Sequence, residues 1–417
     1  MRAEIVSIGD ELLKGQRVNT NAAFISRALA TIGIAVDRVT ACSDRVEDIV
    51  AVLGESLHRT DVVLVTGGLG PTRDDCTKKA VQQLLQRELV VHEESYCLLV
   101  ERLAKYGRAV SPQLCDQATV LEGSQAIVNP KGTAAGMLIA CGEQFEHHSL
   151  VIMPGVPVEM IAMMEQSVLP LFAERSDSVV RHTPVKTLGV GESLLAEQLT
   201  EVEDRLPEGT TLAYLPYAAG VDLMVSTFGR IRYEVERDNK KVVDAILQKV
   251  GHLVYTTDER KLEEVIGSML LQQGVTVAVA ESCTGGLVAS RLTDVAGSSA
   301  YFLQGFVTYS NEAKQKLLGV PEETLIAFGA VSEETARAMA LGCLQASGAD
   351  FALATTGIAG PGGGTPEKPV GTLCMAVAGK NMPNIISKRI VAHGDREQNK
   401  LRFSTAILRE LWECLHF

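Results

Sequence analysis

The chain has 417 residues, more than one ordinary core accommodates, and its 46% hydrophobic and 22% charged content excludes a disordered or fibrous protein. A formal net charge of −12 argues against a general nucleic-acid binder, because neutralising phosphates requires clustered Lys and Arg. The longest apolar runs, VVLVTGG from Val62 and VTVAVA from Val275, are strand-length and fall short of the ~20 apolar residues of a membrane span.

Read in chain order, MRAEIVSIGDELL lacks the apolar stretch and cleavage site of a signal peptide, so a cytoplasmic location is expected. AEIVSIG, IAVDRVTAC and DVVLVTGG read as strands, alternating with helices over NTNAAFISRALATIG and VEDIVAVLGESLHRT. This rhythm predicts a doubly wound α/β sheet over 1–175, completed by short strands in GTAAGMLIAC and SLVIMPG and an amphipathic helix in VPVEMIAMMEQSVLPLF. His147-His148 falls in a polar hairpin loop between those short strands rather than in a metal site. Residues 176–257 predict a small α+β domain, in which RIRYEVERDNKK is a solvated helix face. Residues 258–417 form another α/β unit, with strands VTVAVA, DFALATTG and VGTLCMAVAG and the closing helix NKLRFSTAILRELWECL. The nine cysteines form no CxxC and no Cys/His pairing, which predicts reduced thiols.

Two stretches carry chemistry. In VLVTGGLGPTRDD, Gly67, Gly68 and Gly70 follow a strand, where glycine lets backbone N–H groups approach phosphate oxygens. Thr72 comes next, and Asp74 and Asp75 are hard oxygen donors able to hold Mg²⁺ against the same phosphate. Asp10 and Asp44, after the first and second strands, belong to the same edge. The structural alternative is an acidic pair favouring a helix N-terminus.

In AESCTGG, Ser282 and Cys283 stand together at a strand end that opens a helix. Such a turn presents a nucleophile and oxyanion-stabilising amides together, although Ser282 or Thr284 capping the helix explains the pattern equally. A serine needs a base. Lys314, neutral if buried, supplies one in FVTYSNEAKQKLLG beside Tyr309, and His393 keeps a triad open. Thr356, Gly357 and Gly360 in TTGIAGPGGGTPEKPVG form a cradle-like loop, and Arg396 in GDREQNK is able to pair a phosphate.

GGLGPTRDD, SIGDELLKGQRVNTN and PGVPVEM resemble the N-terminal domain of the CinA (competence/damage-inducible protein A) family, which is related to molybdopterin-binding domains. The resemblance implies metal-dependent hydrolysis of ADP-ribose to AMP and ribose 5-phosphate. It carries the family's positions onto Gly67, Gly68, Gly70, Thr72, Asp75, Asp44, Asn21 and Glu159. Ala135 in GTAAG stands where the family has proline.

AESCTGG, AGSSAYFLQGFVTYSNEAK, GAVSEETA, TTGIAGPGGG and GDRE are similar, in order, to the family's C-terminal domain. That domain resembles nicotinamide-nucleotide amidohydrolases, which convert nicotinamide mononucleotide to nicotinic acid mononucleotide and ammonia without a cofactor. The resemblance implies Ser282 as nucleophile, Lys314 and Tyr309 as base and proton partner, and Thr356 and Arg396 on the substrate. Lys400 stands where the family often has arginine. The resemblance implies a homodimer acting on small nucleotides, and the acidic balance and short apolar runs lead us to expect no nucleic-acid or membrane partner. Rival classes are an N-terminal module that binds a pterin or nucleotide without turnover, and an accessory factor in competence or DNA repair.

Overall fold

The first three expected strands form β1 (Arg2–Ile8), β2 (Ala35–Cys42) and β3 (Val62–Thr66) of the computed structural model, with β1 parallel to both others. The structure describes residues 1–72, 74–105, 107, 111–175, 179–217 and 220–416. The chain divides into two units, 1–182 with 227–237 and 183–226 with 238–417.

In the first unit, α1 (Asp10–Leu13) is a single unanticipated turn, and α2 (Thr20–Ala30) starts where the Asn19 side chain accepts from the Ala22 amide at 3.0 Å. Every residue of β3 is buried because helices cover both faces. Val63 and Val65 face Ile49, Leu53 and Leu57 of α3 (Val46–Leu57) and Ala80 and Val81 of α4 (Thr77–Leu85). Val62 and Leu64 face Ile25 and Leu29 of α2. An unanticipated insertion follows: β4 (Leu89–Val91), α5 (Glu93–Lys105), α6 (Pro112–Cys115) and β5 (Thr119–Leu121), with β4 and β5 pairing antiparallel.

β6 (Gln125–Ile127), β7 (Gly136–Ala140) and β8 (Ser149–Met153) complete a sheet of order β2-β1-β3-β8-β7-β6 among the described residues. β8 runs parallel to β3, whereas β6 and β7 are antiparallel, so the doubly wound sheet is mixed. His147 and His148 do lie in the turn of the β7–β8 hairpin, where His148 Nδ1 is 2.7 Å from the Leu57 carbonyl. The last amphipathic run is not one α-helix. α7 (Pro157–Met163) passes through π-type turns at Met164–Val168 into α8 (Leu169–Ala173), where Pro170 has no N–H to donate.

The middle residues fold as expected into an α+β layer. β9 (Val179–Thr187), β10 (Thr210–Tyr217), β11 (Gly220–Gly229) and β12 (Val254–Thr256) form a sheet of order β10-β11-β9-β12, with α9 (Glu192–Glu203) and α10 (Arg232–Val250).

The C-terminal residues build a sheet of order β14-β13-β15-β16-β17 from β13 (Val277–Glu281), β14 (Phe302–Val307), β15 (Phe351–Gly357), β16 (Thr372–Gly379) and β17 (Ile386–Val391). β13 lies between β14 and β15 and runs parallel to both, while β16 runs antiparallel to its neighbours β15 and β17. Val277 and Val279 pack beneath α11 (Leu262–Gln273), α12 (Leu287–Thr293) and α16 (Arg396–His416) through Ile266, Leu292 and Phe403. Ala278 and Ala280 face the core beneath α13 (Asn311–Leu318), α14 (Glu322–Phe328) and α15 (Glu333–Ser347) through Leu318, Leu325 and Met339. Within the described residues no helix is long and apolar enough to cross a membrane.

Candidate active site

β13 ends at Glu281, so Ser282 emerges at the carboxyl edge of the sheet, its amide held by the Thr355 carbonyl at 2.9 Å. The turn that follows depends on Gly285 and Gly286, whose φ of 62° and 94° disfavours residues bearing a Cβ. Lys314 reaches the same point from α13, which begins where the Ser310 hydroxyl accepts from the Ala313 amide at 3.1 Å.

The Lys314 Nζ lies 3.1 Å from Ser282 Oγ, and donates to the carbonyls of Thr308 at 2.9 Å and Tyr309 at 3.4 Å. Lys314 is 1% exposed and Ser282 8%. Burial lowers the Lys314 pKa, with only the Cys283 thiol opposing. A neutral amine with both N–H bonds spent on two carbonyls turns its lone pair to the remaining neighbour, the Ser282 hydroxyl. Cys283 behaves differently: burial pushes its thiol up to about 12, so it stays protonated at neutral pH. Its sulfur packs 3.2 Å from where a Cβ on Gly357 would stand.

The other expected residues sort into two groups. Arg396 donates to the Gly360 carbonyl at 2.8 Å and to the Tyr309 hydroxyl at 3.2 Å, which joins the glycine loop, α16 and the exposed Tyr309. Tyr309 therefore offers its carbonyl, not its hydroxyl, to Lys314. Thr356 donates to the Ala330 carbonyl at 2.7 Å, a tether within the fold. Gly357 is pressed against the Thr372 carbonyl rather than open to a ligand. His393 is exposed and, among the described residues, makes no bond to Ser282. Lys400 Nζ comes within 3.6 Å of the Cβ position on Gly285, at the rim of the Ser282 turn.

Sequence reasoning missed two members. Glu281 is 1% exposed at the end of β13, and its carboxylate accepts from the amides of Gly286 at 3.0 Å, Val288 at 3.1 Å and Ala289 at 2.8 Å. Asn399 binds the carbonyls of Ala359 and Gly394, while its own buried Oδ1 has no partner. The signal for Glu281 was a carboxylate in the place where a buried parallel strand normally ends in an apolar residue.

In the first unit, the carboxyl ends of β1, β2, β3 and β8 open on a cleft of about 630 Å³ lined by Asp44, Gly67, Gly68, Gly70, Asp74, Asp75 and Glu159. Gly67 has φ 113°, and a Cβ there would stand 2.2 Å from the Ile8 carbonyl oxygen. Asp75 is turned inward: the Thr72 amide and hydroxyl donate to it at 2.9 and 2.6 Å. Burial raises the Asp44 pKa; the Asp10 amide opposes at 3.0 Å, and the charges of Asp10, Glu11 and Asp74 add to the rise. Glu159 accepts from Asn129 at 2.7 Å. Asn21 donates to Thr66 and the Gly155 carbonyl in the adjoining recess, and its buried Oδ1 is unpartnered.

Among the described residues no three His, Cys, Asp or Glu side chains gather as a ready metal site. The oxygen donors of Asp44 and Asp74 still suit a hard cation such as Mg²⁺, which keeps several waters and binds through one or two carboxylates plus substrate phosphates. Two further residues shape the cleft unanticipated. Lys78, its pKa lowered by burial to about 8, donates to the carbonyls of Asp116 and Thr119, both at 2.7 Å. That fixes the segment presenting Gln117, whose carbonyl also accepts from the Ala135 amide at 2.8 Å, a bond proline cannot make.

Comparison with known proteins agrees with this layout. Residues 4–174 match the probable molybdopterin binding domain, 182–256 the damage-inducible protein CinA KH domain, and 259–415 the CinA C-terminal domain. The middle layer, legible in sequence only as α+β, is thus of KH type. The chain is 62% identical over 415 residues to the CinA-like protein of Chlorobium chlorochromatii, covering 100% of this chain and 98% of that one. It is 59% identical over 418 residues to the CinA-like protein of Chlorobium limicola, covering 100% and 97%. The crystal structure of competence/damage inducible protein CihA from Agrobacterium tumefaciens is 43% identical across 39% of this chain and 100% of its own, with a TM-score of 0.35. Identity of this order from end to end establishes that the chain belongs to the CinA family.

Proposed function

We propose that the C-terminal domain deamidates nicotinamide mononucleotide to nicotinic acid mononucleotide and ammonia. The observation that carries this reading is the buried Lys314 amine 3.1 Å from the Ser282 hydroxyl. Lys314 takes the Ser282 proton as Oγ attacks the carboxamide carbon. The C–N bond breaks, and the nitrogen leaves as ammonia with the proton from Lys314. Water then attacks the acyl ester, giving one proton through Lys314 back to Ser282 Oγ and the other to solvent as the product leaves as a carboxylate. The pyridinium nitrogen withdraws electrons from the carbonyl, which assists a serine activated by an amine alone. Arg396 and Lys400, at the rim, face the phosphate end.

The N-terminal domain, on the same proposal, hydrolyses ADP-ribose, its pyrophosphate bound at Gly67, Gly68 and Gly70, to AMP and ribose 5-phosphate. A divalent cation at Asp44 and Asp74 would neutralise phosphate charge when bound. Asp75 orders the loop through Thr72. That inward turn of Asp75 also favours a second reading, a module that holds a nucleotide or pterin without cleaving it. Incubating the purified chain separately with nicotinamide mononucleotide and ADP-ribose tests both. Ammonia from the first supports the deamidase. AMP from the second supports the hydrolase, and calorimetric binding without AMP supports the module.

A further inference from the structure

The helix N-terminus after the nucleophile is already occupied. Glu281 lies immediately before Ser282, is 1% exposed, and takes the amides of Gly286, Val288 and Ala289 on its carboxylate at 3.0, 3.1 and 2.8 Å. These are the amides that a strand-to-helix turn ordinarily offers to an anion. Three other amides of the turn are also committed: Ser282 to the Thr355 carbonyl at 2.9 Å, Gly285 to the Ser282 carbonyl at 3.1 Å, and Leu287 to the Thr284 carbonyl at 3.3 Å. Among the described residues, the amides of Cys283 and Thr284 donate to no acceptor on another residue. The Thr284 hydroxyl is paired with Thr355 Oγ1 at 2.7 Å, which locks that residue's orientation.

We propose that Glu281 is a positioning residue that clamps the nucleophile turn, and that the oxyanion formed on Ser282 attack is met by the uncommitted Cys283 and Thr284 amides rather than by the amides of α12. The inference rests on the deamidase reading of the site. A carboxylate with two acceptor oxygens satisfies three converging N–H donors, whereas a glutamine places an NH₂ group against at least one of them. The turn then relaxes, and displacement of a reacting group by about 1 Å costs ~100-fold in rate.

The test is steady-state ammonia release from nicotinamide mononucleotide by wild type, Glu281→Gln and Ser282→Ala, with circular dichroism and thermal melts on each, assayed well below the melting point. The expected result for Glu281→Gln is kcat lower by ~100-fold at a KM within about 3-fold of wild type, in a folded chain. Wild-type kcat in Glu281→Gln overturns the inference. So does a rate loss that only follows the unfolded fraction. If Glu281→Gln does not fold, Glu281→Asp keeps both acceptor oxygens one methylene short. There a kcat loss at unchanged KM supports the clamp and full kcat overturns it. Ammonia release persisting in Ser282→Ala overturns the deamidase reading itself, and a dead Ser282→Ala beside a fully active Glu281→Gln overturns the clamp alone.

Discussion

The Lys314 amine titrates below the ordinary lysine value of 10.5 because burial penalises its charge. Between its folded pKa and 10.5 the unfolded chain binds the extra proton, so stability rises with pH across that window. The penalty is full at the acid end and gone above 10.5. Lys314→Met is therefore expected to abolish deamidation while melting higher than wild type at low pH, with the margin narrowing as pH climbs; melts across the pH range check this. By the same titration, kcat/KM should rise with pH and level off below 10.5. Tyr309→Phe should act mainly on KM, because its hydroxyl meets Arg396 and only its carbonyl meets Lys314; a kcat loss like that of Lys314→Met contradicts this. Ser282 was legible in sequence because a strand ending in a turn of small polar residues leaves a local trace, whereas Lys314, in the polar run SNEAKQK, stood out only as a base a serine would need and by resemblance to the family. Thr356 was not, since nothing local shows that its hydroxyl turns to Ala330, across 26 positions.

Two glycine turns separate conformational strain from steric clash at the level of elements. At Gly286 an added Cβ meets Val307 at an ordinary 3.7 Å, so Gly286→Ala carries only the left-handed backbone penalty, ~1–2 kcal/mol. At Gly67 the Cβ would stand 2.2 Å from a backbone carbonyl, so Gly67→Ala should cost more, upward of ~3 kcal/mol. Scanning calorimetry is expected to show a small loss in the first case and a large one in the second; equal losses contradict the distinction. β3, β13 and β16 were readable because both their faces are buried and their sequences are almost continuously apolar. β2, largely exposed at the sheet edge, was readable only from its β-branched residues and its place between two helical runs. β17 was not: ISKRIV is polar and exposed at the sheet edge, and becomes a strand only by pairing with β16. The π-type turns at Met164–Val168 were equally hidden, since the apolar spacing through them still resembles one helix.

Across the whole molecule, the account assigns two chemistries with different needs. Excess chelator should stop AMP release from ADP-ribose and leave ammonia release unchanged, because the Ser282 site relies on amide and amine groups alone; loss of both together contradicts the assignment. The α/β organisation followed from the alternation of strands and helices, whereas the KH character of the middle layer did not, because strands and helices read singly do not show the pairing order β10-β11-β9-β12. The central claim is that the Ser282 hydroxyl, not the Cys283 thiol, attacks the amide. Ammonia release from nicotinamide mononucleotide by Ser282→Ala and Cys283→Ala tests it most directly. A loss of ~10³-fold or more is expected in the serine variant, with near wild-type release in the cysteine variant. An active serine variant beside a dead cysteine variant would contradict it.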